Sequence, residues 1–319
     1  MIPPKIVILG CGDIGNDIIS CIHRSCITGA DAISVNTDTE HLKGTQADKR
    51  ITIGKALKGG RGAGGCPIMG GRAARNGIPT INSGIESADL VLITAGLGGG
   101  TGSGALPLIA ESARDNGSLV ICFVTIPPET ERYPWITAVR ALKETLKYAD
   151  SVIVLDYQKF ASQFPGISPR EHYQKMDQMI ADSIREMTDL VMVPSLINVG
   201  LEDLRAIFKN KGMGLLLAGE SEDGTSNKNE RVRQNSLAHP TADADITGAS
   251  GCLVCMTGGP DINRFDAEDI ATAIGSVLDR HADVVWGLNV KNGMEGKIRV
   301  FAFVTGLMNG ADSLRYEIS

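Results

Sequence analysis

Apolar positions in the first half of the chain fall in short continuous blocks: KIVIL (5–9), AISV (32–35), DLVLITA (89–95), SLVICFVT (118–125) and SVIVL (151–155). They do not alternate with polar residues as half-exposed strands do. Polar and small-residue stretches of helical length separate several of them. The pattern predicts buried parallel strands covered on both faces by helices, a Rossmann-like α/β arrangement. At residue 172 the period changes. Met176, Met179, Ile180, Ile184, Met187, Leu190 and Val191 recur at spacings of three and four. They predict one amphipathic helix over 172–191, ~28 Å long, with its methionine stripe in the core. Beyond it, GLLLAG (214–219), CLVCMT (252–257), DVVWGLNV (283–290) and RVFAFVTG (299–306) read as strands, with helical stretches near 201–211 and 266–281. These predict a smaller α+β unit built on a mixed four-stranded sheet. Residues 220–236 are strongly polar and read as a surface loop or a solvated helix end. The expected organisation is therefore 1–171, a central helix over 172–191, and 192–319.

Composition narrows the function. With 43% hydrophobic and 21% charged residues and a formal net charge of −6, the chain is neither a general nucleic-acid binder nor a polybasic lipid binder. No apolar run approaches the ~18 residues of a membrane helix. The N-terminus lacks the pattern of a secretory signal. The expectation is a cytoplasmic protein without direct membrane insertion. Seven scattered cysteines suit reduced thiols. Cys252 and Cys255 form a C-x-x-C, but on a strand positions i and i+3 face opposite sides, so no metal or redox pair is expected there.

Three glycine-rich loops carry the candidate chemistry. Gly10, Gly12 and Gly15 follow the first strand at G-x-G-x-x-G spacing, and Asp38 lies about twenty residues on, as in dinucleotide binders. Such a loop places free backbone N–H groups at a helix N-terminus, where anions are favoured. The second loop, GLGGGTGSG (96–104), has six glycines in nine residues. So many glycines cannot serve a core, because glycine buries nothing and costs entropy. Thr101 and Ser103 would add hydroxyl donors. A dinucleotide fold needs one such cradle; two on neighbouring strands suit the concentrated charge of a nucleoside triphosphate. The third loop, GGRGAGGCP (59–67), reads alone as a mobile surface loop, and beside the other two as one that closes over a γ-phosphate. No Walker pattern G-x-x-x-x-G-K-[ST] is present.

GLGGGTGSG closely resembles the tubulin signature motif, and with VNTDTEHL (35–42), ADKRITIGKALKGGRGAGGCP (47–67), VPSLINV (193–199), NKGMGLLLAGE (210–220) and MTGGPD (256–261) the chain resembles the FtsZ/tubulin superfamily over residues 5 to about 307. The likeness is nearer to FtsZ and its archaeal relatives, CetZ-like proteins included, than to eukaryotic tubulin. It implies a GTP-binding domain, a central helix and a C-terminal activation domain, assembling with copies of itself head to tail into filaments, with GTP or GDP as nucleotide and Mg²⁺ on the phosphates. Carried over residue by residue, Gly10, Cys11, Gly12 and Asn16 belong to the first phosphate loop, and Asn36 and Asp38 to the next nucleotide loop. Ala63 and Gly64 fall in the γ-phosphate loop, and Gly98, Gly99, Gly100, Thr101 and Gly102 in the signature cradle. Glu131 matches the ribose-contacting glutamate. Tyr173 stands where the family stacks a phenylalanine on guanine. Asp177, one turn later, matches the residue that reads the guanine edge.

Hydrolysis in this family uses N-x-D-x-x-D, inserted from the neighbouring subunit. Here the stretch is Asn198-Val199-Gly200-Leu201-Glu202-Asp203. Asn198 and Asp203 are kept, the first carboxylate is replaced by Gly200, and Glu202 is offered as a partial substitute. Glu202 and Asp203 would also suit the first turn of helix 201–211 for its dipole alone. The readings that follow are an assembly-activated GTPase or a GTP-dependent scaffold with little hydrolysis. Other departures are Tyr157 in place of a base-recognising Asn, and a shortened 129–135 segment in which Arg132 stands in for a basic pair. The linker and C-terminal peptide that tie FtsZ to membrane adaptors are not seen, so any adaptor is an unknown one.

Overall fold

The computed structural model describes residues 3–221, 241–242 and 244–307. Most of the polar 220–236 stretch and the chain's last dozen residues lie outside them.

The strands are β1 (Ile6–Cys11), β2 (Ala30–Asn36), β3 (Lys49–Thr52), β4 (Leu90–Gly96), β5 (Leu119–Ile126), β6 (Ser151–Asp156), β7 (Gly212–Glu220), β8 (Gly251–Gly258), β9 (Asp283–Val290) and β10 (Ile298–Thr305). They form one sheet in the order β3-β2-β1-β4-β5-β6-β7-β10-β8-β9. All pairs from β3 to β7 are parallel; β10 is antiparallel to both β7 and β8, and β8 is parallel to β9. The expected second sheet is therefore present as a mixed four-stranded set, but fused to the first. Ser151 to Val154 of β6 pair with Gly212 to Leu215 of β7, so β6 has no open edge.

Alternation along the strands sorts side chains into two layers that run through both halves. Val7, Leu9, Ile93, Cys122, Leu215, Cys252 and Val304 face one way. Ile8, Leu92, Phe123, Leu216, Cys255 and Phe303 face the other. Cys252 and Cys255 are thus buried on opposite faces, as their spacing predicts. Phe303 of β10 meets Phe123 of β5 and Phe208 edge-on, at centroid separations of 6.0 and 6.1 Å, which seals the seam between the halves.

The helices are α1 (Gly12–Arg24), α2 (Thr39–Gly44), α3 (Lys55–Lys58), α4 (Pro67–Ile85), α5 (Gly100–Asp115), α6 (Arg132–Thr145), α7 (Tyr157–Ser162), α8 (Pro169–Met192), α9 (Leu201–Phe208) and α10 (Arg264–Gly275). The central helix α8 begins earlier than periodicity predicts. Ser168 and Glu171 form a reciprocal capping box, and Pro169 occupies the first helical position. Met176, Ile180, Ile184, Met187 and Leu190 are buried, so the methionine stripe is core. Helix α8 packs on α1 and reaches β8 and β9. Its hold on the far half is partly ionic. Buried Glu186 accepts from Thr257 Oγ1 and from Lys291 Nζ (3.2 Å), and Lys291 also donates to Asp189 (3.0 Å).

Strand β3 lacks an apolar signature because only Ile51 of its four residues is buried at this sheet edge. Helix α9 ends at Phe208, short of the expected 211, as Lys209 turns extended and Asn210 takes a positive φ of 58°.

Candidate nucleotide site

The first two glycine loops each join the C-terminal end of a parallel strand to a helix N-terminus, where ligands of parallel sheets bind, and the third joins α3 to α4. Strand β1 runs into α1 through Cys11 and Gly12; β4 runs into α5 through 97–99. Gly12 has φ +75°, and a Cβ there would lie 3.1 Å from Gly102 N, so the two loops abut backbone to backbone. A Cβ on Gly102 would lie 2.1 Å from Gly96 O. Neither position admits another residue without displacing the loops.

The loops enclose a cleft of about 410 Å³ lined by Gly12, Asn36, Asp38, Ala63, Gly64, Gly99, Gly100, Thr101 and Gly102, all selected from sequence. Asp13 and Arg61 complete its polar wall. Neither carried a signal in the sequence, since Asp13 fills an x of G-x-G-x-x-G and Arg61 an unpatterned loop position. The third loop is pinned: Thr39 N–H donates to Gly60 O (2.8 Å) and Gly62 N–H to Thr37 O (3.1 Å). Asn36 donates to Asp13 Oδ1 (2.9 Å) and accepts from Asp38 N–H (3.1 Å). Asp38 in turn caps α2, accepting from Glu40 and His41 N–H. The Thr101 hydroxyl is shared with Thr37 Oγ1 at 2.7 Å.

Other candidates lie behind the cleft. Gly10 and Cys11 are buried beneath it, and burial pushes the Cys11 thiol up to about 12, so it is inert there. Ser103 does not offer its hydroxyl to the cleft as expected. It is buried and accepts from Gly98 N–H at 2.8 Å, which shapes the turn that Gly98 (φ +105°) makes.

A second cavity of about 800 Å³ lies between α1 and α8. Ile14 lines both, so the two adjoin. Tyr173 and Asp177 line it together, four residues apart on one face of α8. Asp177 is 7% exposed and its Oδ1 has no partner. Burial, with Asp17 adding, pushes its carboxyl up to about 8. Asn16 on α1 is fully buried with neither amide atom bonded. Unpaired buried polar groups are costly and mark places where a partner is expected. Tyr157 does not line this cavity; its ring stacks on Tyr173 at 4.4 Å and 26°. Glu131, at the N-cap of α6, acts electrostatically on both tyrosines. Arg132 follows it, exposed, and lines neither cavity.

Three candidates are elsewhere. Asn198, Glu202 and Asp203 follow the C-terminal end of α8, whereas Tyr173 and Asp177 are near its start. Val199 N–H bonds to Leu190 O, thirteen residues beyond Asp177, or ~20 Å along the helix axis. The loop is held by β9: Leu196 and Ile197 N–H donate to Leu288 O, and Leu288 N–H donates back to Ile197 O. Asn198 Oδ1 accepts from Ser195 N–H (2.8 Å) and Ser195 Oγ (2.6 Å). Asp203 accepts from Gly200 N–H (2.7 Å), capping α9. Glu202 points outward, 3.4 Å from Arg205. Asn198 and Asp203 are both exposed.

A model of the tubulin/FtsZ family GTPase domain matches residues 5–164, and one of the FtsZ family C-terminal domain matches 212–308. The chain belongs to the tubulin/FtsZ family. Within this family, cell division protein FtsZ 2 of Halobacterium salinarum is 40% identical over 306 residues, 96% of this chain and 77% of that one. FtsZ 2 of Methanocaldococcus jannaschii is 38% identical, covering 95% and 80%. Among solved structures, an empty FtsZ dimer of M. jannaschii superposes with a TM-score of 0.91 at 32% identity, over 96% of this chain and 89% of that one. The GTPγS-bound protofilament of Haloferax volcanii CetZ2 shares the fold, with a TM-score of 0.82 at 21% identity over 96% and 94%. The resemblance drawn from the loop motifs holds, and it answers the dinucleotide reading of the first glycine loop: the tubulin/FtsZ GTPase domain implies guanine-nucleotide binding. Among the described residues no helix is long and apolar enough to cross a membrane.

Proposed function

We propose that this protein binds GTP across the two adjoining cavities and assembles head to tail with copies of itself in the cytoplasm, hydrolysing GTP where subunits meet. The phosphates sit against Gly12, Gly99, Gly100, Thr101 and Gly102, and Arg61 offsets their charge. The base stacks on Tyr173 and is read by Asp177. A carboxylate such as Asp177 fits the N1–H and N2–H donors of guanine and not adenine, which presents no such pair. Hard oxygen donors suit Mg²⁺, which keeps most of its shell as phosphate and water. Asp13 and Asp38 are the carboxylates that line the cleft. When bound, Mg²⁺ supplies charge neutralisation on the phosphates.

The observation that carries this reading is the split of the site. Asn198 and Asp203 stand ~20 Å along α8 from the base pocket, too far to act on a nucleotide in the same chain. A neighbour stacked head to tail would bring them together. Exposed apolar side chains flank both halves. Ile68 (69% exposed) and Tyr133 (67%) follow the nucleotide loops, and Leu196 (57%) belongs to the loop that carries Asn198. Such side chains suit a self-association surface. In that arrangement Asn198 and Asp203 orient the attacking water, and positioning and electrostatics supply most of the rate in phosphoryl transfer.

Gly200 supports a second reading, a GTP-dependent filament with little hydrolysis, because the first carboxylate of the catalytic motif is missing. GTP turnover per subunit, followed against protein concentration with Mg²⁺ present, decides between them. A rise above a threshold concentration supports completion by a neighbour. A flat, near-zero rate with filaments present supports the scaffold. A high rate independent of concentration overturns both.

A further inference from the structure

The ring on which the base would stack is not held by its own helix alone. One face of Tyr173 is covered by Tyr157 at a centroid distance of 4.4 Å and an angle of 26°. Rings this close leave no room for a base between them. Tyr173 lines the cavity together with Asp177, and Tyr157 does not, so Tyr157 lies on the side of Tyr173 away from that cavity. Tyr157 is itself supported. It opens α7, where Asp156 Oδ1 accepts from Lys159 N–H (3.0 Å) and caps the helix. His172 meets Tyr157 edge-on at 6.0 Å and 89°, and its Nε2 is tied to Phe164 O at 2.9 Å. The three rings form one cluster, two stacked and one edge-on, and the face of Tyr173 turned from Tyr157 is its working surface.

We propose that Tyr157 is a positioning residue for the nucleotide base: it locks the Tyr173 ring in the orientation that presents one face to a purine. This rests on the placement of guanine at Tyr173. A lone exposed tyrosine would sample several rotamers and lose that freedom on binding, whereas a ring already stacked has little left to lose. Removing the support should weaken base binding by roughly three- to tenfold. The effect should be confined to the base, since Tyr157 is absent from the phosphate cleft.

The test measures affinity for GTP and for ribose 5-triphosphate, which lacks the base, below the assembly threshold. Expected for Tyr157→Ala is a three- to tenfold loss for GTP and no change for ribose 5-triphosphate; Tyr157→Phe, which keeps the ring, restores GTP affinity to within twofold. Tyr157→Leu fills the volume without a ring and serves if the alanine variant folds poorly. Near-UV circular dichroism should lose the coupled tyrosine signal in the alanine and leucine variants. Equal loss for both ligands means Tyr157 merely supports α7 and overturns the proposal. Wild-type GTP affinity in Tyr157→Ala, with a large loss in Tyr173→Ala, overturns it while leaving guanine at Tyr173. Wild-type affinity in Tyr173→Ala shows instead that the base lies elsewhere.

Discussion

Restoring the missing carboxylate, Gly200→Asp, tests how this chain departs from the N-x-D-x-x-D pattern. Gly200 has φ −91° and ψ 169°, extended backbone open to any residue. A Cβ there would meet only Asp203 Oδ2, at 3.4 Å. The new carboxylate would repel Asp203 by about 1 kcal/mol for exposed charges ~4 Å apart in water. As an N-cap residue, aspartate recovers a few tenths of that over glycine. Stability should therefore change by less than about 1 kcal/mol, and the fold should survive. A well-placed proton-handling group contributes about 10²–10⁴ in rate. On the proposed role of Asn198 and Asp203, which would already share the task, the gain expected is nearer 10²-fold, about 2.7 kcal/mol of barrier. The assay is phosphate release per subunit above the assembly threshold, with GTP affinity and filament mass measured in parallel. Asp203→Asn in the Gly200→Asp background should remove the gain. Asparagine is preferred to alanine there because it keeps an acceptor for Gly200 N–H and so preserves the α9 cap. Unchanged turnover in a Gly200→Asp protein that binds GTP and assembles normally would refute the idea that this carboxylate limits hydrolysis. So would a gain that survives Asp203→Asn.

Four further outcomes are expected. With the Asp177 carboxyl raised to about 8 in the nucleotide-free protein, GTP must displace a proton at pH 6, so affinity should rise by up to about tenfold per pH unit toward pH 8 and level off above it; Asp177→Asn should weaken GTP and flatten that titration. The same raised value means the folded protein holds the proton more tightly than the unfolded chain, so its contribution to stability is present below about pH 4 and is lost as pH rises through about 8; thermal melts of the nucleotide-free protein should show that slope reduced in Asp177→Asn. Leu196→Glu puts a charge on the exposed loop that carries Asn198 and should raise the assembly threshold about tenfold with GTP affinity unchanged, as read by sedimentation and nucleotide titration. Lys291→Met removes the Nζ donor that pairs with Glu186 (3% exposed) and should cost about 3 kcal/mol in denaturant unfolding, less if Arg185, 3.7 Å away, takes over.

The sequence by itself determined the parallel core, because fully buried strands must be largely apolar along their length, and 6–9, 90–93 and 119–124 are continuous apolar runs. It marked the loops that line the cleft, because clustered glycine between a strand and a helix has no use in a core. It showed the central helix through its three-four spacing, although the Ser168–Glu171 cap that starts it lies ahead of the first periodic residue. What only the tertiary structure decided was the meeting of distant segments. Arg61 joins the cleft through backbone pairing of 37–39 with 60–62, which no local pattern announces. Ser103 turned inward because the Gly98 amide needed an acceptor. The fusion of two sheets through β6 and β7 depends on register between segments about sixty residues apart. Tyr157 reaches Tyr173 only because α7 and α8 fold back on each other. Spacing can place a residue on an element; which element it then faces is set by packing that must satisfy every buried surface and polar group at once.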